Sequence, residues 1–139
     1  MATEDSRSDR YQRGLDHLKT LQGAGGHTAT SQQVLETLRA VAPHVERQTM
    51  EFVIGDVLAR PGLDPRTREL LNLAVLTAIG AELELKLHSH IALNIGISRE
   101  EAVEAVSQQV VYAGFPRAIN GLKVLKEVFE ERDAEGLSP

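Results

Sequence analysis

The chain has 139 residues and a formal net charge of −5; 42% of its residues are hydrophobic and 25% are charged. This length suits one domain. The net negative charge argues against nucleic acid as a partner, because nucleic-acid binding needs clustered Lys and Arg. No apolar run reaches the roughly 18 residues of a membrane-spanning helix, and the first ten residues lack the apolar stretch of a secretory signal. We therefore expect a cytoplasmic protein with no membrane partner.

The sequence contains no cysteine. This excludes disulfide bonds, thiolate metal sites and Cys-x-x-Cys redox chemistry. Tryptophan is also absent, so the core must consist mainly of Leu, Val, Ile and Ala. These residues recur at helical spacing, which predicts an all-α fold.

About six to seven helices are predicted in chain order, with no convincing strand. They cover residues 9–21, 31–41, 43–58, 65–79, 81–95, 99–113 and 116–132. The polar ends at 1–9 and 133–139 are predicted to be a flexible arm and a flexible tail. The chain is thus expected to form one helical domain over residues 10–132.

Signals at the helix ends support these boundaries. The glycine-rich stretch 23–26 ends the first helix, Ser31 is a capping-type residue for the second, and Pro43 fits the first position of the third. Asp64 and Pro65 form a cap and a first-turn proline for the fourth.

The second half of the chain has equally clear punctuation. Gly80 separates the fourth helix from the fifth, which ends at Gly96. Residues 98–101 form a capping box for the sixth helix, and Pro116 opens the last one. The fourth helix is apolar on most sides over 70–76, which predicts a central helical hairpin at 64–96.

Candidate catalytic residues are concentrated on the fifth helix. Glu84 and His88 are four residues apart and share a face, and a carboxylate beside an imidazole can hold its tautomer and raise its basicity. His88 and His90 are about 200° apart around the helix. These two histidines cannot easily bind one metal ion from a single helix.

Glu69 can join this group if the fourth and fifth helices pack antiparallel. It lies 11 residues before the Gly80 turn and His88 lies 8 after it. At roughly 1.5 Å per residue, the two residues then sit within about 5 Å of the same height. The spacing permits a cluster of Glu69, Glu84 and His88 but does not show that all three face inward.

Spacing alone leaves structural alternatives open. A Glu–His pair four residues apart is commonly a solvated surface pair. A metal site needs a third ligand, and none can be identified, so no metal is predicted. A tyrosine such as Tyr112 is more often a core or rim residue than a catalytic one.

Three longer motifs identify a known family. Arg60–Asp64, Glu84–His88 and Tyr112–Pro116 resemble, in order, the opening, central-helix and final signatures of the carboxymuconolactone decarboxylase family. The resemblance covers nearly the whole chain and implies an alkylhydroperoxidase-like helical fold. Peroxidase members of the wider family use two cysteines, and Ala81 and Glu84 stand at those positions here. The resemblance therefore points to the cysteine-free decarboxylase branch.

This resemblance also implies a function. The family reaction is the cofactor-independent decarboxylation of 4-carboxymuconolactone in aromatic catabolism, so the expected partner is a carboxylated unsaturated lactone. His88 falls on the family histidine and is expected to be the proton donor or oxyanion stabiliser. Glu84 is expected to orient it, and Glu69 falls on the glutamate that precedes the peroxidase cysteines. Tyr112 and Arg117 are candidate substrate contacts.

Some positions depart from the family pattern. Decarboxylase-like relatives often carry small residues at the positions of Glu69 and Arg117, and His90 is not part of the pattern. His90 is therefore also a candidate substrate contact. These departures leave open a cofactor-free isomerase, lactonase or cyclase in natural-product tailoring, or a non-catalytic binding protein.

The family resemblance further implies a homo-oligomer, a hexamer or a trimer. The last helix offers modest support, because it carries more apolar residues than a chain this small buries alone. They are Ile119, Leu122, Val124, Leu125, Val128 and Phe129.

Overall fold

The computed structural model describes residues 8–137, and all regular structure within that range is helical. The α-helices are α1 (Asp9–Gln22), α2 (Ala29–Val41), α3 (Pro43–Gln48), α4 (Pro65–Ile79), α5 (Glu82–Asn94), α6 (Arg99–Ser107), α7 (Val110–Ala113) and α8 (Phe115–Ala134). A π-helix, Thr49–Leu58, continues directly from α3. The predicted all-α fold is confirmed. Within the described range, none of the helices combines the length and apolar character needed to cross a membrane.

The local signals that delimit α4 and α6 act as the sequence predicts. The Asp64 carboxylate accepts a hydrogen bond from the Thr67 amide at 2.9 Å and so caps α4. Gly80 ends α4 in the left-handed conformation, with φ 74°, which glycine adopts without a steric penalty. Ser98 and Glu101 form a reciprocal capping box at the start of α6.

Three predicted boundaries differ from the structure. Helix α2 begins at Ala29, before the predicted cap Ser31, which lies inside it. The predicted helix 43–58 changes to π geometry halfway, and its end shows the wider turn in the 2.9 Å bond from the Ala59 amide to the Ile54 carbonyl. The predicted helix 99–113 is interrupted between α6 and α7.

The first helix begins and the last helix ends close to the predicted positions. Helix α1 begins at Asp9, the last residue of the predicted arm, and α8 extends to Ala134, inside the predicted tail. Residues 1–7 and 138–139 lie outside the described range, so the flexibility of both ends stays a prediction.

The core lies between the α4–α5 hairpin, α6 and α8. Its fully buried side chains include Leu73 from α4, Leu85 from α5, Val106 from α6 and Leu125 from α8. The hairpin is therefore central, as predicted, but α4 is not buried all round. Its outer side carries Leu71, Val75 and Ile79, which are 54%, 51% and 61% exposed.

A separate contact joins α1 to the π-helix. A Cβ atom on Gly14 would lie 2.3 Å from the Met50 carbonyl oxygen, and one on Gly55 would lie 2.3 Å from the Arg10 carbonyl oxygen. Only glycine permits this backbone approach. The contact holds α1 in place, and α1 also packs against α5.

Candidate active site

The α4–α5 hairpin brings Glu69 and His88 into direct contact. The Nδ1 atom of His88 lies 2.9 Å from Oε2 of Glu69. The Glu69 side chain is 3% exposed and that of His88 is 19% exposed, so the carboxylate is buried behind a ring that solvent still reaches. The contact that the helix spacing permitted is thus present, whereas the catalytic roles of both residues stay predictions.

Asn72, which was not among the residues predicted from the sequence, completes this cluster. Its side-chain Nδ2 lies 3.3 Å from Oε1 of Glu69 and 3.3 Å from Nδ1 of His88. A signal was available, since Asn72 is three residues after Glu69 and residues at this spacing share a helix face.

The proton positions follow from these contacts. A carboxylate oxygen and an imidazole nitrogen 2.9 Å apart need a proton between them, so Nδ1 of His88 carries it and donates to Glu69. The Asn72 amide then donates to the other Glu69 oxygen. Nε2 of His88 has no protein partner among residues 8–137 and is not buried, so it is the ring nitrogen available for chemistry.

A second histidine, His17 on α1, lies near enough to feel the charge of Glu69. Burial lowers the pKa of the His17 imidazole, and the negative charge of Glu69 opposes this shift while Arg68 adds to it. No local pattern could have placed His17 here, because it lies more than fifty residues before Glu69 in the chain.

The predicted Glu84–His88 pair is wrong. Glu84 is exposed, and it takes part in none of the hydrogen bonds or ion pairs found within residues 8–137. His88 turns toward α4 instead, where the buried carboxylate of Glu69 is a stronger partner than a solvated one. Glu69 is therefore the carboxylate that contacts His88, in the place predicted for Glu84.

The predicted substrate contact at His90 is also at odds with its position. His90 is 1% exposed, and its Nε2 lies 2.9 Å from Oε2 of Glu131 on α8. Its ring stacks on that of His27, with centroids 3.6 Å apart. Burial lowers the pKa of His90, and the hydrogen bond to Glu131 opposes this shift. His90 thus joins the α1–α2 loop to α5 and α8, away from His88.

This buried cluster also offers donor atoms that a metal could use. His27, His90 and Glu131 each offer one possible ligand atom, and these three atoms lie within 4.8 Å of one another. The two rings are only 15° from parallel, however, so their in-plane lone pairs do not converge on one ion. Glu131 already forms an ion pair with Lys86, and the Lys86 ammonium supplies the positive charge that a metal cation would bring. We therefore interpret the cluster as a structural clamp.

The remaining site candidates lie apart from Glu69 and His88. Tyr112 is 86% exposed at the end of α7. Arg117 is exposed at the start of α8, and its guanidinium lies directly against Gly80. Neither forms a hydrogen bond or ion pair with His88 within the described part of the chain. Their contact with a substrate stays a prediction.

The sequence around these residues is similar to that of known proteins. The sequence profile of the carboxymuconolactone decarboxylase family matches residues 43–127, a span that contains Glu69, Asn72 and His88. The chain belongs to the carboxymuconolactone decarboxylase family. Its sequence contains no cysteine.

Individual relatives narrow the chemistry further. The chain is 33% identical over 122 residues to a 4-carboxymuconolactone decarboxylase from Acinetobacter baylyi, covering 88% of each protein. It is 34% identical over 109 residues to a nitrosuccinic acid decarboxylase from Metarhizium robertsii, covering 76% of each. An uncharacterized 15.0 kDa protein from Paracoccus denitrificans is 28% identical over 103 residues, which cover 73% of this chain and 77% of that protein. The two named activities support a decarboxylase.

Proposed function

We propose that this protein decarboxylates a small carboxylic acid at the Glu69–His88 pair, without a cofactor. The observation that carries the proposal is the 2.9 Å contact between a buried carboxylate and a partly exposed imidazole. This arrangement leaves one ring nitrogen, Nε2, free to exchange protons with a substrate. The similarity to two named decarboxylases supports the same reaction class.

The proposed reaction needs one electron sink and one proton. When the bond to the carboxylate breaks, CO₂ leaves and its bonding electrons remain on the substrate carbon. An unsaturated lactone, or a nitro group in a nitrosuccinate-like acid, accepts these electrons as a dienolate or a nitronate. The imidazolium Nε2–H of His88 then donates its proton to carbon, and solvent restores it. Since the substrate supplies the sink, no metal or organic cofactor is required.

Glu69 has an electrostatic part in this scheme. Its carboxylate holds Nδ1–H and stabilises the positive charge that the ring carries before proton transfer. Because Glu69 is buried, this interaction is weakly screened and is stronger than one with a solvated carboxylate. We propose 4-carboxymuconolactone or a related carboxylated unsaturated lactone as the substrate, and aromatic catabolism in the cytoplasm as its setting.

The direct test is an assay of the full-length protein on 4-carboxymuconolactone, with nitrosuccinate as a second substrate. We expect CO₂ release in proportion to the loss of the lactone's ultraviolet absorbance. Conversion without CO₂ release would replace the proposal with an isomerase, lactonase or cyclase. Binding of these substrates without turnover would favour a non-catalytic binding protein.

We also propose that the protein forms a homo-oligomer, a trimer or a hexamer. The apolar residues of α8 are weaker support than the sequence suggested, because Val124, Leu125 and Val128 are buried in the chain's own core. The stronger support is on α4, where an exposed apolar stripe is formed by Leu71, Val75 and Ile79. Exposed apolar side chains also occur on the neighbouring α7 and α8, at Val111, Tyr112, Phe115 and Ile119.

A substitution at the centre of this apolar stripe tests the proposed oligomer. Val75→Glu places a charge on a surface that is expected to be covered, and it should convert the oligomer to monomers in light scattering. Glu36→Gln, on the far helix α2, is the matched control and should leave the assembly unchanged. A wild-type protein that is monomeric at micromolar concentration would contradict the proposal.

A further inference from the structure

We propose that Asn72 is the positioning residue that sets the tautomer of His88 by holding the Glu69 carboxylate. This inference rests on the proposed function for its catalytic consequence, but not for its structural content. Asn72 is thus added to the Glu69–His88 pair, which the helix spacing alone permitted. The inference concerns which ring nitrogen of His88 carries the proton when the ring is neutral.

The geometry gives each oxygen of Glu69 its own donor. Oε2 accepts from Nδ1–H of His88 at 2.9 Å, and Oε1 accepts from Nδ2 of Asn72 at 3.3 Å. Glu69 is 2% exposed, so a carboxylate oxygen that loses its donor there has little water to replace it. Asn72 therefore fixes the carboxylate plane from its own helix while His88 approaches from the facing one.

Asn72 also lies within reach of the ring nitrogen itself. Its Nδ2 is 3.3 Å from Nδ1 of His88, so the amide could donate to that nitrogen if it carried no proton. In that state, Oε2 of Glu69 would face a nitrogen lone pair at 2.9 Å, which is repulsive. The amide and the imidazole thus both donate to Glu69 in the arrangement that satisfies every atom. In this arrangement the neutral ring has its lone pair on Nε2, so Nε2 is the nitrogen that takes up a proton and delivers it to the substrate.

Among residues 8–137, the side-chain hydrogen bonds of Glu69 and His88 are those with each other and with Asn72. His17 on α1 is a nearby titratable group: burial lowers its pKa, the charge of Glu69 raises it and that of Arg68 lowers it. Neither forms a hydrogen bond to Glu69 or His88 within the described residues. Asn72 is therefore the side chain placed to orient the pair.

The tautomer can be read directly from the ¹⁵N chemical shifts of the His88 ring, at a pH where the ring is neutral. Protonated and unprotonated imidazole nitrogens have well-separated shifts, and the loss of signals in His88→Ala assigns them among the five histidines. We expect a single Nδ1–H form in the wild type and a mixture of both forms in Asn72→Leu. Gln33→Leu, an amide-to-leucine change at an exposed position of α2, is the matched control and should keep one form.

Steady-state kinetics provide a second test, in which kcat is expected to change and KM is not. A hydrogen bond to a charged group supports an expected decrease in kcat of about 10-fold in Asn72→Leu, with KM nearly unchanged. Asn72→Ala is the second variant, because alanine favours the helix and removes the same donor. A single Nδ1–H form in both variants would overturn the inference. If the tautomers mix as expected but the wild type releases no CO₂, the proposed function fails and the positioning role of Asn72 stands.

Discussion

Replacing His88 with alanine is expected to lower kcat by about 10²–10⁴-fold, the usual contribution of a positioned acid–base group. The variant loses the imidazole that protonates carbon and leaves Glu69 without its main partner. The helix itself should persist, because alanine is the best helix former. Steady-state kinetics on the substrate that the wild type turns over, with thermal melts beside them, separate loss of chemistry from loss of fold.

His90→Ala is the informative comparison on the same helix. His90 is buried between His27 and Glu131, so its removal empties part of the clamp and should lower the melting temperature. The effect on kcat should be much smaller than that of His88→Ala, because the two side chains lie on different faces of α5. If His90→Ala is the more damaging change to kcat in folded protein, the assignment of the catalytic face is wrong.

Glu69→Gln is expected to lower kcat on the order of 10²-fold, because the amide keeps the shape of the side chain but removes the charge that stabilises the His88 imidazolium. Gln can also donate its NH₂ group to an unprotonated Nδ1, which would favour the neutral Nε2–H ring over the imidazolium that the reaction needs. The measurement is kcat and KM for the variant at a fixed pH, with a circular dichroism spectrum to confirm the helices.

Glu84→Gln makes the same chemical change on the exposed side of α5 and is the matched control. Glu84 makes no hydrogen bond or ion pair within residues 8–137. The kcat of Glu84→Gln should therefore stay within about twofold of the wild-type value, as for a typical solvated charge. A larger loss in Glu84→Gln than in Glu69→Gln would return the pairing role to Glu84.

The helical framework could be predicted because its signals are local. Asp64 with Thr67, Gly80, and Ser98 with Glu101 each act within a few residues of chain, so their effect does not depend on the rest of the fold. The π-helix at Thr49–Leu58 was not predictable in this way. It packs against α1 through Gly14 and Gly55, which are far apart in sequence, and the apolar pattern alone does not encode that contact.

The candidate site was only half predictable. Helical spacing brought Glu69 and His88 to the same height, but it also offered Glu84 as a partner for His88. The choice between the two carboxylates depends on burial, since Glu69 is shielded between packed helices and Glu84 remains in water. Desolvation strengthens one interaction and screening weakens the other.

By itself, the sequence determined the all-helical fold, the central hairpin, the absence of thiol chemistry and, through its motifs, the family. Only the tertiary structure decided which carboxylate pairs with His88, that Asn72 completes the pair, and that His90 belongs to a buried clamp with His27 and Glu131. The physical reason is that helix caps and apolar periodicity act over a few residues. Partner choice among polar side chains is instead set by distance and burial between helices that the sequence separates widely.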